Sequence, residues 1–249
     1  MTIVWFYSIA SVAIISLISF VGVLTLALGK EKTEKALLVL VSFACGGLLG
    51  DTFIHLLPEV AKNQGFGLGA GLVVLTGVLL FFVLEKFIAW RHCHVPTSSQ
   101  HPHPVVFMNL IGDGLHNFLD GAIVAGSFLV SFPLGMATSL AVIAHEIPQE
   151  IGDFGVLVHG GLSQKKALVF NFCSALVAIL GAIFVLSFGA KISGFPQMLV
   201  PFTAGGFIYI AGSDLIPELH KEVNLKKSLV QLLGLLLGIG IMLGLKFLG

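Results

Sequence analysis

Eight apolar runs, each close to the roughly 20 residues that cross a bilayer core as a helix, limit what this 249-residue chain can fold into. They cover 3 to 29, 36 to 59, 66 to 90, 104 to 130, 133 to 159, 165 to 189, 196 to 219 and 226 to 248. Inside lipid every backbone polar group must be satisfied within the segment, so runs of this length read as helices. Charged residues make up only 10% of the chain and hydrophobic residues 56%, where soluble domains carry roughly 25% charged residues. Mean hydropathy is +1.02. The expected fold class is an all-α integral membrane protein, one domain of eight transmembrane helices. The first run has no basic leader and reads as a retained helix, not a cleaved signal.

The thirteen Lys and Arg set the orientation. With eight spans and the N-terminus outside, the inner loops hold Lys30, Lys32, Lys35, Lys86, Arg91, Lys165, Lys166, Lys221, Lys226 and Lys227. Only Lys62, Lys191 and Lys246 fall outside. The positive-inside rule then puts both termini on the exterior of a plasma or inner membrane. The longest connection, 91 to 103, becomes cytoplasmic; its His92, His94, His101 and His103 are candidates for loop metal capture, and Pro96 and Pro102 keep it out of a helix. Net charge is zero, so no global basic field suggests nucleic acid or an anionic membrane surface as the partner; the apolar runs make the lipid bilayer the surrounding partner. Cys45, Cys93 and Cys173 form no CxxC pair and no disulfide framework.

An internal repeat runs through the chain. Gly46-Gly47 precede Pro58-Glu59 by the spacing that separates Gly205-Gly206 from Pro217-Glu218, and each stretch carries an acid, Asp51 or Asp214. The two stretches lie in spans two and seven, which run in opposite directions. That is the pattern of an inverted repeat, with spans 1 to 3 related to spans 6 to 8 and spans 4 and 5 between them, a 3+2+3 arrangement. Binding sites in such folds lie near the midplane at the repeat interface.

Two polar motifs occupy that place: GDGLHNFLDG at 112 to 121 and HEIPQEIGD at 145 to 153. Ionisable residues inside a span are costly enough to be functional by default. Residues three, four and seven apart share a helical face, so Asp113, His116, Asn117 and Asp120 form one stripe. Glu146, Gln149, Glu150 and Asp153 form another, with His145 over Gln149. Facing each other, the stripes make a cage of imidazole, carboxylate and amide groups suited to a divalent transition metal, bound at about 2.0 to 2.2 Å in the zinc case. Several carboxylates could bridge two ions. The set is thiol-free and amide-containing, unlike a closed structural zinc site, and a weaker site is what passage requires. Asp51, His55, Asp113, Asp153 and Asp214 are further pathway candidates. Pro148 is expected to kink span 5 and free the carbonyl of Ala144. Gly112, Gly114, Gly121, Gly126, Gly152 and Gly155 read as close-approach points between helices, and Glu85 and Lys86 as interfacial anchors.

An intramembrane metalloprotease is the main rival reading. HExxH supplies two zinc ligands and a base on one helix, and Leu119-Asp120-Gly121 resembles the LDG of site-2 proteases. Gln149 stands where the second histidine belongs, Pro148 interrupts that turn, and the LDG precedes the HE motif, so no enzyme is expected. A metal exporter uses the same cage in the other direction, but cation-diffusion exporters typically have six helices and a cytoplasmic metal domain. A protein that stores zinc would need a closed site.

The sequence resembles the ZIP (Zrt-, Irt-like) family of metal-ion transporters, through HNFLDG at 116 to 121 and HEIPQEIGDF at 145 to 154. Supporting similarity runs through GDTFIHLLPE at 50 to 59, EK at 85 to 86 and AGSDLIPEL at 211 to 219. The resemblance implies an eight-helix 3+2+3 fold, often a homodimer, taking zinc and sometimes iron, manganese or cadmium into the cytoplasm as transported substrate. It implies His116, Asp120, His145 and Gln149 around a primary site, with Asn117 and Glu146 joining Asp120, His145 and Gln149 around a second. One departure stands out: the nearest subgroup usually reads HEIPHE, and here an amide, Gln149, replaces a ligand histidine.

Overall fold

The computed structural model describes residues 2–23, 30–89, 104–192 and 194–248, and among them every regular element is helical. The histidines of the 91 to 103 loop lie outside the described residues. Helix α1 (Thr2–Ile18) tightens into a 3₁₀ turn at Ser19–Val21. Helix α2 opens as Lys30–Gly50, widens to a π turn at Asp51–Leu56 and ends as Leu57–Gln64. Helices α3 (Leu68–Ala89), α4 (Pro104–Val130) and α5 (Phe132–His159) are unbroken. Helix α6 comes in two lengths, Gln164–Ala175 and Val177–Phe188. Helix α7 repeats the pattern of α2, with Phe195–Tyr209, a π turn at Ile210–Leu215 and Ile216–His220. Helix α8 spans Leu225–Leu248.

Among the described residues, six helical stretches are long and apolar enough to cross a membrane: Thr2–Val21, Lys35–Gln64, Leu68–Lys86, Gln164–Phe188, Gln197–His220 and Leu225–Phe247. The two remaining long helices, α4 and α5, carry the polar motifs and are not among the six. They are joined through Ser131 alone, whose side chain accepts from Leu134 N at 3.3 Å and so caps α5.

Both π turns have one cause. Pro58 and Pro217 lack an N–H and crowd the carbonyls four residues before them, Ile54 and Ser213, so the preceding turn opens into the wider i→i+5 pattern. The glycine pairs, the π turns and the prolines recur at a single offset: from 46 to 205, from 51 to 210 and from 58 to 217 is 159 residues each time. The positions packed against on α2 and α7 keep the same offset. A side chain at Gly238 of α8 would run into the Phe43 carbonyl and Gly47 N of α2; one at Gly77 of α3 would run into the Phe202 carbonyl and Gly206 N of α7. Bare backbone meets bare backbone at both crossings, which allows the close approach that drives helix association in lipid.

Two other helix irregularities are compensated by side chains. Pro201 leaves the Gln197 carbonyl without its helical donor, and Gln64 Nε2 donates to it at 2.9 Å. Where α6 breaks at Leu176, Ile179 N turns to the Leu176 carbonyl, and Ser16 Oγ of α1 donates to the Ala175 carbonyl at 2.8 Å. Pro148 lies inside α5, which stays one continuous helix. Of the glycines in the polar motifs and beyond, Gly121 packs against the Ala178 backbone of α6 and Gly126 against Leu199, whereas Gly152 and Gly155 have nothing within 4 Å of an added Cβ. The last two are therefore not close-approach points. Between α7 and α8, Lys227 Nζ lies 2.8 Å from Glu222 Oε2, and this hydrogen bond holds the Glu222 carboxyl below its usual range.

Candidate metal centre

Four side chains from α4 and α5 converge: His116 and Asp120, one turn apart on α4, and His145 and Glu146, consecutive on α5. One ligand atom from each lies within 4.8 Å of all the others. His116 Nε2 is 3.3 Å from His145 Nε2 and 3.6 Å from both Asp120 Oδ2 and Glu146 Oε1. His145 Nε2 is 3.1 Å from Asp120 Oδ2 and 3.6 Å from Glu146 Oε1. Asp120, Glu146 and His145 are buried, and His116 is 17% exposed.

The hydrogen bonds show what these groups lack. His145 Nδ1 lies 3.1 Å from the Ala141 carbonyl, which can only accept, so Nδ1 carries the proton and Nε2 presents a lone pair to the cluster. Both carboxylate oxygens of Asp120 and both of Glu146 are buried without a hydrogen-bond partner. Convergent acceptors of this kind repel one another until a cation sits among them. Two imidazoles and two carboxylates form a donor set suited to zinc and its first-row neighbours.

The cluster borders a cavity of about 380 Å³. Among the described residues five acids line it (Glu85, Asp113, Asp153, Asp214 and Glu218) and no Lys or Arg does, so their field favours cations. His116, His145 and Gln149 also line it. The cavity follows α4 back to Asn109 and α5 forward to Asp153, towards the end where α3 finishes and α4 begins.

The remaining motif residues take other places. Asn117 donates to the Asp113 carbonyl at 3.0 Å and to Asp113 Oδ1 at 2.8 Å. Glu150 is fully buried and accepts from Asn171 of α6. Asp153 accepts from Asn109 Nδ2 at 3.0 Å. Asp51 and His55 form a separate buried pair, Nδ1 to Oδ1 at 3.2 Å, with Thr138 Oγ1 donating to Asp51 Oδ2 at 3.2 Å. Thr138 lies seven residues before His145, about 10 Å along α5 and in the direction away from Asp153. Asp214 is not with them: it lines the main cavity beside Glu85 and Glu218. By the repeat offset it corresponds to His55, and Ile210 to Asp51.

Sequence reasoning placed Glu85 at an interface; in the structure it lines the cavity and accepts from the Tyr209 hydroxyl. Asn109, Tyr209 and Asn171 lie outside the two polar motifs and went unnoticed, and Glu218 stood out only for its part in the glycine-proline repeat.

The ZIP Zinc transporter family profile matches residues 2–106 and 91–246. The zinc transporter ZIP13 homolog of Drosophila melanogaster is 33% identical, over 84% of this chain and 77% of that protein. Zinc transporter ZIP13 of Danio rerio is also 33% identical, over 96% of this chain and 86% of that protein. Zinc transporter SLC39A7 of Rattus norvegicus is 28% identical, over 96% and 71% respectively. With the six apolar helices, these matches make this an integral membrane protein, and the chain belongs to the ZIP zinc transporter family.

Proposed function

We propose that this protein carries zinc into the cytoplasm through the centre formed by His116, Asp120, His145 and Glu146, with Gln149 as a fifth contact and iron, manganese and cadmium as further ions. The observation that carries the reading is the convergence of two imidazoles and two carboxylates, the carboxylates without hydrogen-bond partners, beside an acid-lined cavity. The relatives bear zinc transporter names, and the chemistry here is exchange of water for protein ligands, not catalysis.

In this reading eight helices cross the membrane in a 3+2+3 arrangement, both termini outside, and the cavity opens inward. The 159-residue offset of the π turns and glycine contacts supports the relation between the outer triplets. So does the contact of Ser16 with Ala175, two residues at that same offset, as expected of an axis that runs between α1 and α6. An ion entering from outside meets Asp51 and His55, exchanges water for His116, Asp120, His145 and Glu146, and leaves past Gln149, Asp113, Asp153 and Asp214 towards the 91 to 103 loop. Rocking of one bundle against the other would alternate access. The membrane is a plasma or inner membrane, and the assembly a homodimer.

Radioactive zinc flux into proteoliposomes, with cadmium, iron and manganese as competitors, tests this. Wild-type flux should be saturable, and His145→Ala and Asp120→Ala should abolish it. Flux that survives both substitutions would sink the assignment of the centre.

A further inference from the structure

Four polar residues climb α2 at intervals of four: Asp51, His55, Glu59 and Asn63. Contacts join them in two pairs. His55 Nδ1 lies 3.2 Å from Asp51 Oδ1 at the buried end, and Asn63 Nδ2 donates to Glu59 Oε1 at 2.7 Å at the other. Glu59 lies one turn beyond His55, about 6 Å along the axis and on the same face. It lines a cavity of about 360 Å³ with Asn63, with Leu129 and Val130 of α4, and with Gln197 and Val200 of α7. That cavity sits at the end of α4 opposite the end that the metal cavity approaches. Among the described residues Glu59 is the one charged side chain that lines it.

The repeat relates this ladder to the inner route. At the 159-residue offset His55, Glu59 and Asn63 correspond to Asp214, Glu218 and Glu222. Asp214 and Glu218 line the metal cavity, and Glu222 lines an adjoining cavity that shares Val41, Pro148 and Glu218 with it. Val200, across the outer cavity, corresponds to Val41. The outer cavity is therefore built from the same repeat positions as the inner one. Charge separates them: Glu218 is paired with Lys221, whereas Glu59 accepts from a neutral amide and keeps its charge for a ligand.

We propose that Glu59 is the first protein contact of the incoming ion, drawing a hydrated divalent cation into the outer cavity and passing it to Asp51 and His55. One carboxylate attracts such an ion through its field without closing a coordination shell, so the ion can move on. The inference rests on the entry route proposed above and names its mouth.

Initial zinc flux into proteoliposomes that present the outer face tests it, with ionic strength as the variable. Glu59→Gln should raise the zinc KM about threefold to tenfold at about 0.01 M salt and leave maximal flux unchanged. At about 1 M salt, where the screening length falls to about 3 Å, the difference should vanish. Glu59→Asp should keep a KM near that of the wild type. Glu59→Cys, with Cys45, Cys93 and Cys173 replaced by Ser, adds a check from outside. Membrane-impermeant sulfonatoethyl methanethiosulfonate should restore a low KM, and the trimethylammonium reagent should raise it further. A KM unchanged in Glu59→Gln, a shift that persists at high salt, or equal effects of the two reagents would overturn capture while leaving the transport reading in place. Absence of saturable flux in the wild type would overturn that reading and capture with it.

Discussion

His145 and His116 point their Nε2 atoms at each other across 3.3 Å, and His145 Nδ1 is committed to the Ala141 carbonyl. One lone pair is therefore fixed in place before any ion arrives. Replacing His145 with Ala is expected to lower zinc affinity at least about tenfold, or 1.4 kcal/mol, in equilibrium binding to purified protein. Replacing Ala141, which contributes only its carbonyl, with Ser should leave affinity unchanged.

Acid should oppose uptake. Each imidazole must be neutral to bind metal, and binding releases whatever proton it holds. Protons and the ion therefore compete for the same lone pairs, so affinity falls as pH drops. Initial zinc flux measured between pH 7.5 and 5.5 should decline through that range. A flat or rising profile would mean that ligand protonation does not control entry.

Gln149 lines the cavity together with His116 and His145. An amide oxygen is neutral and harder than imidazole. Gln149→His is expected to raise zinc affinity and narrow the ion range at the expense of manganese. Competition of cold manganese against radioactive zinc reads this directly, and equal competition in both proteins would count against it.

Gly121 sits against the Ala178 backbone, and Gly181 against the Phe118 carbonyl. Neither neighbour is a flexible side chain that could give way. Gly121→Ala should destabilise the protein by about 1 to 3 kcal/mol, seen as a lower melting temperature in detergent. Gly152→Ala, which meets nothing within 4 Å, should be neutral or stabilising on helix propensity alone.

Gln64 and Pro201 should be coupled. The Gln64 side chain supplies the donor that Pro201 withholds from the Gln197 carbonyl. Gln64→Ala alone is expected to cost about 0.5 to 1.5 kcal/mol. In a Pro201→Ala background the backbone N–H returns, and the cost of Gln64→Ala should shrink. A double-mutant cycle measures the difference.

What was legible in the sequence was whatever left a periodic trace. The i, i+4 spacing of His116 and Asp120 put both on one face, and the glycine-proline repeat anticipated a shared feature in α2 and α7. The geometry of that feature, a π turn, was not written in the pattern, because the extra residue it absorbs leaves hydrophobicity unchanged. On α5 the stripe of Glu146, Gln149, Glu150 and Asp153 divides between partners: Glu146 joins the cluster with His145, Gln149 and Asp153 line the cavity, and Glu150 turns to Asn171. A helical wheel gives a face but not the neighbour that each edge of the face meets. Glu85, exposed at the end of α3, lines the cavity as well, because the fold brings Tyr209 and Asp214 beside it.

The π turns also act as angular spacers. Each holds one residue more than an α turn of the same rise, so everything beyond it is rotated by about 100° relative to an uninterrupted helix. Without the turn at Asp51–Leu56, the Pro58-Glu59 end of α2 would face a different neighbour. The same holds for Pro217-Glu218 of α7, which would swing Glu218 off the cavity wall that it now helps to form. A single inserted or deleted residue ahead of either proline would therefore re-aim one half of the molecule while leaving its hydropathy profile intact.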